Sequence, residues 1–296
     1  MRAGGVMIYD ALISPFVEFE FMRRALAGVL ALALSGSPLG IFLILRRMAL
    51  TGDAMAHAIL PGAALGYLVA GLSLPAMTIG GIAAGLAVAL LAGVVARLTS
   101  LREDASLAGF YLVSLALGVT IVSLRGSNVD LLHVLFGSVL ALDNATLLLL
   151  ASVSSLTLIT LALIYRALVL ETLDPGFLGS VSTLGAPVQA MFLGLVVLNL
   201  VAGFHALGTL LAVGIMILPA ASARLWSADI TVMTALSILF GIASGFAGLL
   251  VSYHQGLPSG PVIILMAGSI YVLSLLFGRA GGMLRQSLFA RRHLEA

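Results

Sequence analysis

The stretch AMTIGGIAAGLAVALLAGVVA at residues 76–96 contains no charged side chain and no asparagine or glutamine. Because the hydrocarbon core of a bilayer is about 30 Å thick, about 20 consecutive apolar residues of α-helix can cross it. Other stretches are close to this length and character, at residues 24–45, 54–71, 106–124, 145–165, 187–204, 207–223, 230–252 and 260–278. The sequence therefore predicts an all-α, polytopic transmembrane helical bundle with nine spans, or eight if two glycine-rich stretches form one broken span.

The composition of the whole chain also indicates a membrane protein. Of its 296 residues, 61% are hydrophobic and 9% are charged, and the mean hydropathy is +1.20. A soluble domain carries about 25% charged residues, so membrane lipid is the expected surrounding. The formal net charge of +2 is too small for the basic patch that a nucleic-acid partner requires. Because no soluble segment interrupts the pattern, we expect a single transmembrane domain over residues 1–296, located in the cell membrane.

Glycines recur at four-residue spacing along several of the predicted spans. Since lipid supplies no hydrophobic force between helices, small residues at this spacing let helix backbones approach closely. We interpret these pairs as packing sites within the bundle and not as a dedicated dimer face; they are Gly36 and Gly40, Gly62 and Gly66, Gly81 and Gly85, and Gly241 and Gly245. A shorter apolar segment, 131–142, is predicted to be re-entrant or interfacial.

Two residue types are missing from the chain. It has no cysteine, which excludes disulfides and thiolate metal ligands, and all fourteen basic residues are arginine. A Walker A loop needs a lysine to reach the nucleotide phosphates, so any ATPase that powers this chain is a separate polypeptide. Neither H-E-x-x-H nor G-x-S-x-G occurs, and the chain is therefore not expected to be an enzyme.

Arginine placement predicts the orientation, because short cytoplasmic loops are enriched in basic residues. Arg279, Arg285, Arg291 and Arg292 place the C-terminus in the cytoplasm. With nine spans the N-terminus is then external. Residues 1–20 are interrupted by acidic side chains and lack the pattern of a cleavable signal, so they are expected to form an amphipathic lead-in.

The most informative polar segment is RRMALTGDAMAHAILPG at residues 46–62. Asp53 and His57 are four residues apart, so on a helix their side chains share one face, separated by about 6 Å of rise. A carboxylate and a neutral imidazole so placed can bind one divalent cation. Pro61 lacks an N–H and is predicted to bend the helix and to free the carbonyl of His57. The alternative is that Asp53 caps a helix N-terminus and His57 bonds a neighbouring hydroxyl.

Three other ionisable residues are weaker candidates for contact with the ion. His205 lies between two predicted spans, and Asp130 and His133 are three residues apart near the predicted external surface. Structural hydrogen bonds are the alternative for all three. Pro219 predicts a second bend, which would free the carbonyl of Ile215 beside a translocation path.

The segment at 46–62 closely resembles the signature of the membrane permeases of ABC importers for zinc, manganese and iron. Three further segments match this family in the same order: DLLHVLFGSVLAL (130–142), ETLDPGFLG (171–179) and GTLLAVGIMILPAASARL (208–225). The resemblance extends from about Phe21 to Phe277. One departure is Ser138, where many relatives carry an acidic residue.

This resemblance implies that Asp53 and His57 coordinate the transported metal, and that the segment containing Glu171, Asp174 and Pro175 docks on an ATPase. It also implies a homodimer of this chain, a separate cytoplasmic ATP-binding subunit and an extracytoplasmic metal-binding protein. No permanently bound cofactor is expected, because the zinc or manganese ion is cargo.

The residues leave several alternatives open. A carboxylate with an imidazole suits Zn²⁺ and also accepts Mn²⁺ or Fe²⁺; the number of histidines favours zinc, with manganese or iron as the alternative. A secondary cation transporter would need no ATPase partner. A purely structural membrane subunit would tolerate the loss of Asp53 and His57.

Overall fold

The computed structural model describes residues 12–71, 73–99, 103–124, 139 and 142–284. Over these ranges the chain forms twelve α-helices, so the predicted all-α class is confirmed for the described residues. They are α1 (Ser14–Glu18), α2 (Glu20–Leu45), α3 (Ala49–Ala58), α4 (Leu60–Ala70), α5 (Leu74–Leu98), α6 (Glu103–Leu124), α7 (Asn144–Leu173), α8 (Pro175–Val181), α9 (Gly185–Leu207), α10 (Thr209–Arg224), α11 (Ile230–Gln255) and α12 (Ser259–Phe277).

The described helices include seven segments that are long and apolar enough to cross a membrane. These are α2, the α3–α4 pair taken together, α5, α7, α9, α11 and α12. Two shorter apolar helices, Ala105–Ile121 within α6 and Thr209–Arg224 (α10), fall below this length. The predicted count of eight to nine spans is therefore not established by helix length, and most of the short segment 131–142 lies outside the described residues.

The centre of the bundle is formed by α2 and α9. In each of them 72% of the most apolar 18-residue stretch is buried inside the protein, compared with 33% of that stretch in α5 and α7 and 28% in α12. Helix α2 packs against α7, α9, α10 and α11. Phe42 of α2 and Phe192 of α9 are both fully buried and meet edge to face, with ring centroids 6.2 Å apart. The outer helices turn rows of exposed leucine and valine outward, as lipid contact requires.

Contacts between helix ends define the two ends of the bundle. Arg24, at the start of α2, donates from Nη1 to the carbonyl of Leu142 just before α7, at 3.5 Å. Arg46, directly after α2, donates from Nε to Oγ1 of Thr172 near the end of α7, at 3.1 Å. Helices α2 and α7 are therefore parallel. Trp226 donates to Oγ of Ser274 at 2.9 Å, so α10 and α12 end at the same side.

Aspartates cap the N-termini of three helices in the described ranges. Asp143 accepts from the N–H of Thr146 at the start of α7, at 2.9 Å, and Asp174 accepts from Phe177 at the start of α8, at 2.9 Å. Asp229 accepts from Thr231 and Val232 at the start of α11. Hydrogen bonds from Thr146 lower the pKa of Asp143, because they stabilise the ionised carboxylate.

The two prolines that were predicted to bend helices have different effects on the helices that carry them. At Pro61 the helix is interrupted: α3 ends at Ala58, and α4 begins at Leu60 with the proline in its first turn. At Pro219 the helix continues, with the proline inside α10. The carbonyl of Ile215, four residues earlier, accepts a hydrogen bond from Oγ of Ser37 on α2, at 3.3 Å. A hydroxyl from another helix thus replaces the donor that Pro219 lacks.

The glycine pairs predicted to be packing sites do pack within the chain. A Cβ on Gly40 would overlap the carbonyl oxygen of Met216, and one on Gly62 would overlap that of Gly80. Gly81 and Gly245 face side chains of neighbouring helices in the same way. The interpretation as intra-chain packing is therefore confirmed for these pairs.

The Gly62–Gly80 contact predicts a large effect for a small substitution. Gly80→Ala on α5 would place a methyl group on the carbonyl oxygen of Gly62 on α4, and neither backbone can yield. We expect a loss of about 1–3 kcal/mol in stability, the usual cost of overpacking, measured as a lower midpoint of thermal unfolding in detergent. Gly93→Ala on the same helix is the matched control, since a Cβ there meets nothing within 4 Å. Equal midpoints for the two variants would contradict the close approach.

Candidate metal site

The helix that carries the candidate ligands is short and bounded on both sides. It follows a tight turn, Arg46–Met48, in which Arg47 has a positive φ of 60°. Helix α3 then runs for ten residues from Ala49 and ends before the interruption at Ile59. Met48 occupies the N-cap position and no side chain caps this helix. Asp53 lies inside α3, so the alternative that Asp53 is a helix cap is wrong.

Asp53 and His57 are brought together on one face of α3, as predicted from their spacing. Oδ1 of Asp53 lies 3.8 Å from Nε2 of His57. The Asp53 side chain is 60% exposed and that of His57 is 28% exposed. The carboxylate therefore lies at the surface of the subunit, with the imidazole set partly behind it.

The spacing of these two atoms suits shared coordination of a cation. Bonds of about 2.0–2.2 Å from each ligand to one ion place the oxygen and the nitrogen about 3.0–3.4 Å apart. The observed 3.8 Å differs by less than the movement that rotation of an exposed carboxylate allows. The pair can supply one oxygen and one nitrogen, and water or another protein group would complete the coordination.

The His57 ring is positioned by stacking on an aromatic side chain. The ring stacks on Tyr111 of α6, with centroids 6.2 Å apart and planes inclined by 28°. Its second nitrogen, Nδ1, is buried and has no hydrogen-bond partner among the described residues. The nitrogen that faces Asp53 is Nε2, so a cation shared with the carboxylate would bind there.

The weaker candidates do not join this pair within the described ranges. No group of three His, Asp or Glu side chains able to hold a metal occurs among the described residues, so His205 does not complete the site. Its Nδ1 instead lies 2.9 Å from the carbonyl of Val201, one turn earlier on α9, which is the structural alternative. Asp130 and His133 lie outside the described residues.

The second predicted functional segment, which contains Glu171, Asp174 and Pro175, lies at the C-terminal end of α7. This helix ends at Leu173, Asp174 caps the short helix α8, and Pro175 occupies its first turn. Phe177 of α8 is 53% exposed, whereas Leu178 is buried. The Glu171 carboxylate lies against the backbone of Gly185 at the start of α9. The predicted short helix begun near Pro175 is therefore present and presents an aromatic ring outward.

Two contacts that support the candidate site, one made by Arg46 and one by Tyr111, were not predicted from the sequence. Arg46 lies over the ring of Phe192, 5.1 Å from its centroid, and bonds Thr172, which joins the turn before α3 to the end of α7. Tyr111 packs on His57 from α6. The available signal for Tyr111 was its position in an apolar span, three residues before a serine and seven before a glycine.

Comparison with known proteins identifies the family. The family model described as the ABC 3 transport family matches residues 18–278, which is most of the chain. The chain belongs to the ABC 3 transport family. The resemblance drawn from the four sequence segments is confirmed by this match. As a member of this family the chain is a multi-pass membrane transport component and not an enzyme.

Several relatives of this ABC 3 family member have names that describe transport. The chain is 32% identical over 291 residues to the manganese transport system membrane protein MntC of Halalkalibacterium halodurans, covering 97% of this chain and 96% of that protein. It is 30% identical over 257 residues to the manganese import system permease protein ScaB of Streptococcus parasanguinis, covering 87% and 90%.

A solved structure also shares the fold of this ABC 3 family member. PsaBC from Streptococcus pneumoniae in complex with Fab includes a chain that superposes with a TM-score of 0.82 at 28% identity. The superposition covers 93% of this chain and 98% of that chain. The fold described above is therefore shared with a protein whose structure has been solved.

Proposed function

We propose that this chain is the permease subunit of an ATP-driven importer of manganese. The observation that carries the proposal is the Asp53–His57 pair on the interrupted helix of an ABC 3 family chain. Its support is that relatives covering almost the whole chain are named for manganese transport. Manganese is a hard enough cation to favour the carboxylate and to accept one imidazole.

The preference for zinc drawn from the number of histidines is not supported. The relatives reported above are named for manganese, and the described residues bring one histidine, not several, to Asp53. His205 of α9 bonds its own helix and does not join the pair. A site of one carboxylate and one imidazole leaves room for water, which manganese retains readily. Manganese is therefore the cargo that we propose.

We further infer that the working transporter contains two copies of this chain, two cytoplasmic ATP-binding subunits and an extracytoplasmic metal-binding protein. The absence of lysine leaves the chain without the phosphate-binding residue of an ATPase. Helix α8, with Phe177 exposed, is a suitable contact for a separate ATPase. The outward position of the Asp53 carboxylate suits a path that passes between two permease subunits.

We infer nine membrane crossings with the N-terminus outside. Helix α10 turns back directly after α9, since Gly203 packs on Ala212, and the carbonyl of Leu225 after α10 accepts from Ala280 after α12 at 2.8 Å. The 16 residues of α10 rise about 24 Å, close to the thickness of the hydrocarbon core. With α6 as the other short crossing, the arginine-rich C-terminus is cytoplasmic.

The test of the proposed cargo is uptake by cells that have or lack this chain. Cells lacking it should lose most of their uptake of radiolabelled manganese. Uptake of radiolabelled zinc should change little. Re-expression of the chain supplies the control. Loss of zinc uptake with manganese uptake intact would refute manganese as the cargo.

A further inference from the structure

One face of α6 runs along the interruption between α3 and α4. Tyr111, Ser114 and Gly118 are three and four residues apart, so they share this face. Tyr111 stacks on His57, Ser114 contacts Ala58, and a Cβ on Gly118 would lie 3.0 Å from the backbone nitrogen of Pro61. Three successive positions of α6 thus contact the last residues of α3 and the first of α4.

The contact made by Ser114 is a hydrogen bond to the backbone at the interruption. Its Oγ donates to the carbonyl of Ala58 at 3.0 Å, and both residues are buried. In an uninterrupted helix this carbonyl would accept from the N–H of Gly62, four residues later. At membrane depth a carbonyl without a donor is costly, so the hydroxyl of Ser114 stabilises the interrupted form.

The spacing of Asp53 and His57 along the chain is set by α3 itself, since both residues lie inside that helix. The direction of the His57 ring is set from α6, because the ring stacks on Tyr111, one turn before Ser114. The hydrogen bond from Ser114 to Ala58 holds the end of α3 against α6. It therefore keeps the ring on Tyr111, with its Nε2 directed at Asp53 at 3.8 Å.

We propose that Ser114 is a positioning residue for the metal ligand His57. Its hydroxyl holds the end of α3 against α6, and so keeps the imidazole stacked on Tyr111 and directed at the ion that Asp53 shares. The inference rests on the proposed function of the chain as a manganese permease. It assigns to α6 the control of ion affinity, although α6 supplies no ligand among its described side chains.

The test compares two serines of α6 that make the same kind of bond. Ser114→Ala removes the donor to Ala58, and Ser106→Ala removes a buried donor to the carbonyl of Ala92 on α5, at 3.1 Å. We expect Ser114→Ala to raise the KM for manganese uptake by roughly fivefold to tenfold, since an unsatisfied buried carbonyl shifts the helix. The maximal rate should change less, Ser106→Ala should keep the parental KM, and Ser114→Thr, which retains the hydroxyl, should restore it.

Equal KM values for Ser114→Ala and Ser106→Ala overturn the proposal, because they would make Ser114 an ordinary packing residue. If Ser114→Ala does not accumulate in the membrane, Gly118→Ala takes its place, since the added methyl pushes α6 away from Pro61. Gly109→Ala is its control, with nothing within 4 Å of the added Cβ; equal KM values for these two overturn the proposal as well. A parental chain that does not transport manganese would instead refute the proposed function.

Discussion

Asp53→Asn should lose most manganese uptake while the protein still inserts and assembles. The substitution keeps the size of the side chain and its capacity to hydrogen-bond, and removes the negative charge that attracts the cation. His57→Phe keeps a ring able to stack on Tyr111 and removes the nitrogen that faces Asp53. Each change removes one of the two candidate ligands, so we expect a loss of about tenfold to a hundredfold in uptake, about 1.4–2.8 kcal/mol.

The chain offers a matched control for each of these variants. Asp229→Asn changes the same residue type at the N-terminus of α11, where asparagine caps equally well. His254→Phe changes an exposed histidine at the end of α11. Both should transport at the parental rate, and ATP hydrolysis by the assembled transporter should change less than uptake in all four variants. If Asp53→Asn and His57→Phe transport manganese at the parental rate, the ion does not pass this pair.

Replacing α8 with a flexible Gly/Ser linker of equal length should separate ATP hydrolysis from transport. In the proposed transporter α8 is the contact with the ATPase, and a flexible linker cannot transmit a displacement. Manganese uptake should fall to the background of cells without the chain, while the ATPase subunit, supplied in excess, continues to hydrolyse ATP. The measurement is the ratio of manganese transported to ATP hydrolysed in proteoliposomes. An unchanged ratio would contradict the role assigned to α8.

A single substitution gives a sharper form of the same experiment. Phe177→Ala removes the ring that α8 exposes, and Phe277→Ala removes an equally exposed ring at the end of α12. Removal of an aromatic anchor from a protein interface commonly costs 2 kcal/mol or more, about a thirtyfold loss of affinity. The first variant should therefore lose bound ATPase during purification, and the second should retain it. Equal retention would place the ATPase contact elsewhere.

The route from α8 to the candidate metal site is short in the structure. Thr172, two residues before the cap of α8, accepts the hydrogen bond of Arg46, and Arg46 begins the turn that leads into α3. A displacement of α8 thus has a direct path to the helix that carries Asp53. The positive φ of Arg47 is unusual for a residue other than glycine, and such a conformation persists only where the surrounding structure holds it.

The length of each apolar stretch predicted the helices well, because the residues of a membrane span are apolar whatever their neighbours in the fold are. One discrepancy is at the start of the second span, predicted near residue 54 and observed at Ala49. The sequence Thr51-Gly52-Asp53 has the chemistry of a helix cap, which moved the predicted boundary. In the structure Met48 takes the N-cap position, and Thr51 and Gly52 are buried inside α3. Tertiary contact overrode the local preference.

The candidate site was predictable only in the part that lies on one helix. Asp53 and His57 are four residues apart, and their proximity follows from helix geometry alone. Tyr111, Ser114 and Thr172 reach the site or its supporting turn from other helices, and no periodicity within one span reveals which helices will be neighbours. A different limit applies to His205, because its bond to the carbonyl of Val201, four residues earlier on the same helix, depends on the rotamer of the side chain.

The hydrogen bond from Ser37 to the carbonyl of Ile215 also constrains the order in which these positions can change during evolution. If Pro219 is exchanged for a residue with an N–H, the carbonyl regains its helical donor and the Ser37 hydroxyl can bond its own helix. If Ser37 is lost first, a buried carbonyl faces hydrocarbon with no donor. Lineages of this family should therefore lose Pro219 before Ser37. Relatives that keep the proline but have no hydroxyl or amide at the position of Ser37 should be rare.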